Sequence, residues 1–166
     1  MMNEIRFVEC DADLHRRVGE VMGEVAERHI RPDDGFAFVA MDGEIPVGLI
    51  AVYRRRLPEP LPETDEGFIN IIEVVEAYRR RGIGRRLVEM SIDRCRDQGL
   101  YQIRGWSSDD KSEAIPMWKA LGFTLCPATE YPRGQEVKGY FAAYRLSRIE
   151  QPGRGDTVTR APHPTR

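Results

Sequence analysis

Residues 77–86 read AYRRRGIGRR and run without a break into the apolar-periodic stretch LVEMSIDRCRDQ at residues 87–98. Just upstream, FINIIEVV (Phe68 to Val75) is apolar at positions of both parities, the pattern of a central strand covered on two faces. Strand, short turn, Gly-x-Gly and helix therefore follow one another. The first backbone N–H groups of such a helix have no intrahelical acceptor, and their partial positive charge favours an anion. Gly82 and Gly84 carry no Cβ to block the approach of a diphosphate to the backbone. Arg79, Arg80, Arg81, Arg85 and Arg86 add charge and forked hydrogen-bond donors suited to phosphate oxygens. The competing reading is plain: two turn glycines, then a helix with a solvated basic face. Two nucleotide signatures are excluded. There is no G-x-x-x-x-G-K-S/T, and Leu87 stands where G-x-G-x-x-G needs its third glycine.

Working outward, the 166-residue chain has the length of one domain with one good core. Its 41% hydrophobic and 31% charged residues are ordinary for a globular protein, and no run approaches the roughly 20 apolar residues of a membrane span. The N-terminus shows no basic segment followed by an apolar one. Cys10, Cys95 and Cys126 are odd in number and widely spaced, which predicts reduced, buried thiols and a cytoplasmic protein. His15, His29 and His163 share no ligand spacing with them, so no metal site is expected. The formal charge of −2 and the lack of aromatics among the arginines argue against nucleic acid.

The periodicities predict an alternating order of elements. IRFV (Ile5 to Val8) reads as a strand. Asp11 and Asp13 offer N-cap oxygens to an amphipathic helix carrying Leu14, Val18, Val21, Met22, Val25 and Ala26 and ending near His29. Asp42-Gly43 lies between two β-rich runs and predicts a hairpin. Pro58, Pro60 and Pro62 make the next segment a loop. The long helix after AYRRRGIGRR closes at Gly99, YQIRGW is a strand, residues 111–121 form a second helix, and FTLCPA and VKGYFAAYRL are the last strands. Residues 150–166 lack any core pattern and are expected to be a disordered tail, including Arg154-Gly155-Asp156. Helices separating strands predict a single α/β domain, residues 1–149, with one sheet covered by helices.

Arg79-Arg80-Arg81-Gly82-Ile83-Gly84 matches Q/R-x-x-G-x-G/A, and Val74 to Arg79 follows V-x-P-x-Y-R with Glu76 replacing the proline. Further on, Ala114 to Phe123 (AIPMWKALGF) is similar to A-x-x-x-Y-E-K-L-G-F. Together these resemble the acyl-CoA signature of the GNAT superfamily of N-acetyltransferases, over roughly residues 3–147. The resemblance implies a mixed, mostly antiparallel central sheet with one splayed strand pair, flanked by helices. It implies acetyl-CoA as co-substrate without a metal, and transfer of acetyl to a primary amine, small molecule or peptide, within a ternary complex. A homodimer is compatible with it. By position, Val74 would offer an amide to the thioester, and Arg81, Gly82, Ile83, Gly84 and Arg85 the loop amides. Arg79, Arg80 and Arg86 would face cofactor phosphates, and Trp118 would pack the core or the pantetheine arm.

The departures concern catalysis. Trp118 stands where the family often has an acidic tyrosine, and an indole N–H is no proton source. Tyr78, Tyr101, Tyr131 and Tyr140 remain as donors. Lys111 replaces an asparagine that family members use on the cofactor. A base is expected on the strand before the loop. Alternation puts Glu66, Phe68, Asn70 and Ile72 on one face and Glu73 on the other unless a bulge intervenes. Glu66 is the first candidate, Glu73 the second, and Asn70 a residue that orients water. EPLPETDE (Glu59 to Glu66) would form an acidic entrance for a cationic amine. The segments at Pro32 to Gly35 and Glu130 to Val137 are the ones expected to choose the acceptor. With Trp118 in the tyrosine position, the rival function is a non-catalytic acyl-CoA-binding or sensing module.

Overall fold

A computed structural model describes residues 4–146; the 150–166 tail lies outside the described residues. Strand β1 (Ile5–Glu9) is followed by α1 (Ala12–Met22), α2 (Glu24–Arg28), β2 (Gly35–Asp42), β3 (Ile45–Arg56) and β4 (Asp65–Val74). Then come α3 (Ile83–Asp97), β5 (Gln102–Ser108), α4 (Ile115–Ala120), β6 (Thr124–Glu130) and β7 (Val137–Arg145). The strands form one sheet in the order β1-β2-β3-β4-β5-β7-β6. Every neighbouring pair is antiparallel except β4 and β5.

Two apolar layers cover the sheet. On one face Leu14, Val18, Ala26 and Ile30 from α1, α2 and the turn after them pack on Ala37, Val39, Leu49 and Ala51. On the other, α3 buries Ile83, Leu87, Val88, Ile92 and Cys95, spaced as one helix face, against Phe38, Ile50, Val52 and Ile69. The caps follow the local chemistry. Asp11 Oδ1 accepts from Leu14 N–H at 2.8 Å. At the end of α3, Leu100 N–H reaches Cys95 O at 3.1 Å and Gly99 N–H reaches Arg96 O, with Gly99 at φ +68°, a Schellman closure. Of the three thiols, Cys95 is buried, and burial pushes it up to about 12; Cys126 is exposed, unlike the sequence expectation.

Two predicted helices come out shorter. The first breaks at Gly23 (φ +99°), whose backbone turns α2 away from α1. The second becomes a 3-10 turn at Asp109–Ala114 followed by α4 of six residues, because Pro116 is tolerated only in a first helical turn.

The decisive feature is in the middle of the sheet. β4 and β5 pair at only four positions, from Glu66–Gln102 to Ile69–Gly105. Beyond them β4 stays with β3 as far as Val74, and β5 stays with β7 as far as Ser108. A bulge lies in β4 at the same place: Val52 pairs Ile69 and Ala51 pairs Ile71, so Asn70 is the extra residue. Ile69 and Ile72 both pack on the α3 face, while Ile71 turns to the α1/α2 face. Glu73 pairs with Leu49, a residue of the α1/α2 face, and therefore shares that face with Asn70. Plain alternation had put Ile72 there and Glu73 opposite.

The arm beyond the gap depends on a close approach at Gly139. A Cβ built there would lie 2.1 Å from Ser107 O and 2.9 Å from the Trp106 ring. Gly139→Ala is expected to lower stability by about 1–3 kcal/mol, read by urea denaturation.

Candidate functional site

The backbone of AYRRRGIGRR forms a short 3-10 turn at Glu76–Tyr78, then passes two left-handed residues, Arg80 (φ +60°) and Gly82 (φ +79°), before entering α3. The first intrahelical bond is Arg86 N–H to Gly82 O at 3.0 Å, and no side chain caps this end. The N–H groups of Ile83, Gly84 and Arg85 are therefore those a helix leaves for an anion. Nothing stands within 4 Å of a Cβ built on Gly82, so Gly82 is required by its φ and not by packing. Gly84 differs. A Cβ there would sit 3.6 Å from Met117 Sδ and 3.8 Å from Val74 Cγ2, narrowing the passage between them.

Most of the arginine side chains are already engaged. Arg79 Nε donates to Val74 O at 2.9 Å. Arg81 lies over the Tyr78 ring. Arg85 and Arg86 turn along the helix to Glu89, at 3.0 and 3.8 Å. These exposed ion pairs are weak and exchangeable, so the fixed part of the anion site is its backbone.

The passage opens into a cleft of about 540 Å³ that runs through the gap between β4 and β5. Gly84, Met117 and Trp118 line it on the α3 side, Val25 and His29 on the α2 side, and Ile69 to Val74 with Gly105, Trp106 and Ser107 along the two strand edges. Val75 N–H bonds to Val47 O at 2.9 Å, so by strand alternation Val74 N–H turns the other way, into the gap. Asn70 lines the cleft and donates Nδ2–H to His29 O at 2.8 Å, tying α2 to the bulge. Glu73 lines it as an exposed carboxylate. Trp118 is buried, 4.8 Å from the Phe123 ring, and its Nε1–H has no partner. Trp106 Nε1–H is likewise buried without a partner.

A second cleft of about 610 Å³ opens on the Asn70 face, between Arg55, Phe68, Phe141 and the β6–β7 connection at Glu130 to Pro132. Ile69, Asn70 and Trp106 line both clefts, so the two meet at the gap.

Glu66 is not at this junction. It is fully buried and accepts from Arg55 Nε at 2.7 Å, Gln102 Nε2 at 2.6 Å, and Arg104 Nη2 and Nε at 2.8 and 3.1 Å. Burial alone would raise its pKa, but the hydrogen bonds from Arg104, Gln102 and Arg55 outweigh that and hold it below the ordinary carboxylate value. With both oxygens taken, Glu66 is a clamp across β3, β4 and β5 and has no lone pair for an amine proton. Nor do Glu59, Glu63 or Asp65 line either cleft; acids there come from Glu73, Glu113 and Glu130. Of the tyrosines, Tyr78 donates to Asp42 at 2.7 Å, which raises its pKa, and Tyr140 donates to Lys111 O at 3.2 Å. Tyr131 lines the second cleft. Asp33 to Gly35 line a separate groove with Gln98 at the far end of α3, about 22 Å from its N-terminus. Of the cleft residues not singled out from the sequence, Met117, His29 and Arg55 carry no local signature, while Trp106 and Phe141 had only the weak signal of a large aromatic in a strand.

Residues 4–123 match the model of the acetyltransferase (GNAT) family, and the chain belongs to that family. N-alpha-acetyltransferase 30 of Schizosaccharomyces pombe is 28% identical over 92 residues, 53% of this chain and 57% of that protein. The match thus spans little more than half of that curated relative. Among solved structures, Arabidopsis thaliana NAA60 in complex with acetyl-CoA superposes with TM-score 0.70 at 16% identity, covering 86% of this chain and 99% of that one. The ribosomal-protein-S18-alanine N-acetyltransferase of Escherichia coli gives TM-score 0.68 at 16% identity, over 90% and 98%.

Removing the clamp's carboxylate strands two cations. Glu66→Ala is expected to cost about 3–5 kcal/mol in denaturant unfolding. Because the folded pKa lies below the unfolded one, this stabilisation is present above roughly pH 4.3 and is lost as pH falls through the lowered value. The acid limb of the stability curve should therefore flatten in the Glu66→Gln variant.

Proposed function

We propose that this protein transfers an acetyl group from acetyl-CoA to a primary amine, both held at once across the β4–β5 gap. One observation carries the reading: a helix N-terminus open to an anion leads, past Gly84, into a cleft that joins a second cleft on the opposite face of the sheet. Membership of the GNAT family and the acetyl-CoA complex of the Arabidopsis relative support the same cofactor. The residues present fit it. The start of α3 is free of a side-chain cap, and the space beside Gly84 is of the kind a Cβ would fill.

Acetyl-CoA supplies the acetyl group as a thioester. Ile83, Gly84 and Arg85 hold its diphosphate through their N–H groups, and Arg80 and its neighbours screen the charge. Val74 N–H, turned into the gap, donates to the thioester oxygen. The acceptor amine enters from the Asn70 face. Asn70 holds a water between amine and carboxylate, and Glu73 takes the proton through it. No tyrosine lines the main cleft among the described residues. A thiol's ordinary pKa of about 8.5 lets the thiolate leave without an acid from the protein. Juxtaposition of amine and thioester supplies much of the acceleration. The names of the yeast and bacterial relatives support a peptide or protein N-terminus as one acceptor class, and small amines remain in the other. We assign the reaction to the cytoplasm on the strength of three unpaired thiols.

Calorimetry with acetyl-CoA is expected to show binding at sub-millimolar concentration that Gly82→Glu abolishes; binding unaffected by that change removes the cofactor assignment. Thiol release across an amine panel separates enzyme from sensor, since tight binding with complete inactivity favours the sensor. Glu73→Gln should reduce kcat on the order of 10²-fold with acetyl-CoA affinity retained. Trp118→Phe should keep turnover and lose about 1–3 kcal/mol of stability, because its indole packs and donates no proton.

A further inference from the structure

The second cleft has a charged floor that acetyl transfer by itself does not require. Arg55 and Arg104 share one carboxylate, Glu66, so two guanidinium charges meet one negative charge. Both cations are fixed by stacking: Arg55 lies 3.7 Å over the Phe68 ring centroid and Arg104 4.7 Å over that of Phe141. Arg104 gives Glu66 both Nε and Nη2, whereas Arg55 gives it Nε. Arg55 also lines the cleft and keeps its side chain 33% exposed. A guanidinium that is held by its edge and its face, with donors left over, is preorganised to bind a planar anion. Glu130 opposes it, but from an exposed position at the β6 end, where water screens its charge.

We propose that the acceptor is the α-amino group of an acidic residue, free or at the start of a peptide, and that Arg55 binds its side-chain carboxylate. The inference rests on the acetyltransferase reading and names the substrate class of its acceptor cleft. Spacing supports it. Arg55 stacks on Phe68, and Asn70 at the gap is two residues further along β4, about 7 Å at strand rise. An amine placed at Asn70 and a carboxylate placed at Arg55 fit one small molecule, or one acidic residue at the start of a peptide. The apolar walls, Phe68, Trp106 and Phe141, cover the carbon chain between them and strengthen the ion contact by excluding water.

The test compares isosteric pairs that differ in charge: glutamate against glutamine, and short peptides beginning with Glu or Asp against the same peptides beginning with Gln or Asn. Binding to the CoA-loaded protein is measured by calorimetry, and kcat/KM by thiol release from acetyl-CoA. The expected result is a preference of about 10- to 100-fold for the acidic member. It should collapse towards unity in Arg55→Met, with acetyl-CoA affinity unchanged. A preference confined to free amino acids, or to peptides, identifies the source of the carboxylate and supports the proposal either way. Equal binding of both members, binding of neither, or a preference that survives Arg55→Met overturns it. The wild-type ratio decides even if Arg55→Met unfolds. The calorimetric arm decides even if no acceptor is turned over, so a failure of the carboxylate assignment is distinct from a failure of the acetyltransferase reading.

Discussion

Sheet hydrogen bonding between β4 and β5 stops at Ile69 and Gly105, while each strand keeps its other neighbour, and the rest of the molecule is organised around that separation. A strand edge inside a protein exposes N–H and C=O groups that must find partners. Here Arg79, the first residue of the loop proper, supplies one by bonding to Val74 O, so the chain that forms the anion site also braces the edge leading to it. The bulge at Asn70 costs a regular ladder position but shifts the phase of the side chains. Without it Glu73 would face α3, away from Asn70.

A separation of this kind needs a firm stop, or the strands would slide along one another or part completely. Glu66 provides it. It lies at the first of the four paired positions and draws on β3 through Arg55 and on β5 through Gln102 and Arg104. Buried ion pairs add little net stability, because desolvation offsets most of their attraction. Their directional demands are another matter: a slip of one residue would turn Glu66 to the other face of the sheet. Glu66 therefore acts on function through register, at a distance from the proposed chemistry.

The anion loop was readable because its chemistry is local. A strand, two glycines and a helix start within fifteen residues, and the LGF turn at Leu121 to Phe123 confirms the frame. The order of elements followed from periodicity for the same reason. What escaped was set by contacts between distant segments. Asn70 lies in an isoleucine-rich strand with nothing to mark it as a bulge, and its partner, His29 O, is 41 positions away. Glu66 looked like the head of an acidic loop because its cations come from residues 55 and 104. Gly23 and Pro116 shortened two helices that amphipathicity had extended through them, since period-3.6 patterning says which face is buried and not where the backbone turns.

This division between local and distant determinants has a functional counterpart. On the proposed reading the cofactor's diphosphate is held by consecutive residues within Val74 to Arg86, so that part of the site is set by one local stretch of sequence. The proposed acceptor side is assembled from β3, β4, β5, β7 and the segment Glu130 to Pro132, each contributing one to three residues. Substitutions at Tyr131 or Phe141 leave the motif and the Arg55–Glu66 contact in place, yet they change the width and polarity of the space facing the amine. Specificity can therefore vary while acetyl-CoA binding is preserved, and a motif that identifies the donor carries no information on the acceptor. The two sides touch through Ile69, Asn70 and Trp106. A change in acceptor preference that also alters cofactor affinity must pass through one of these three residues, or through the strand separation they border.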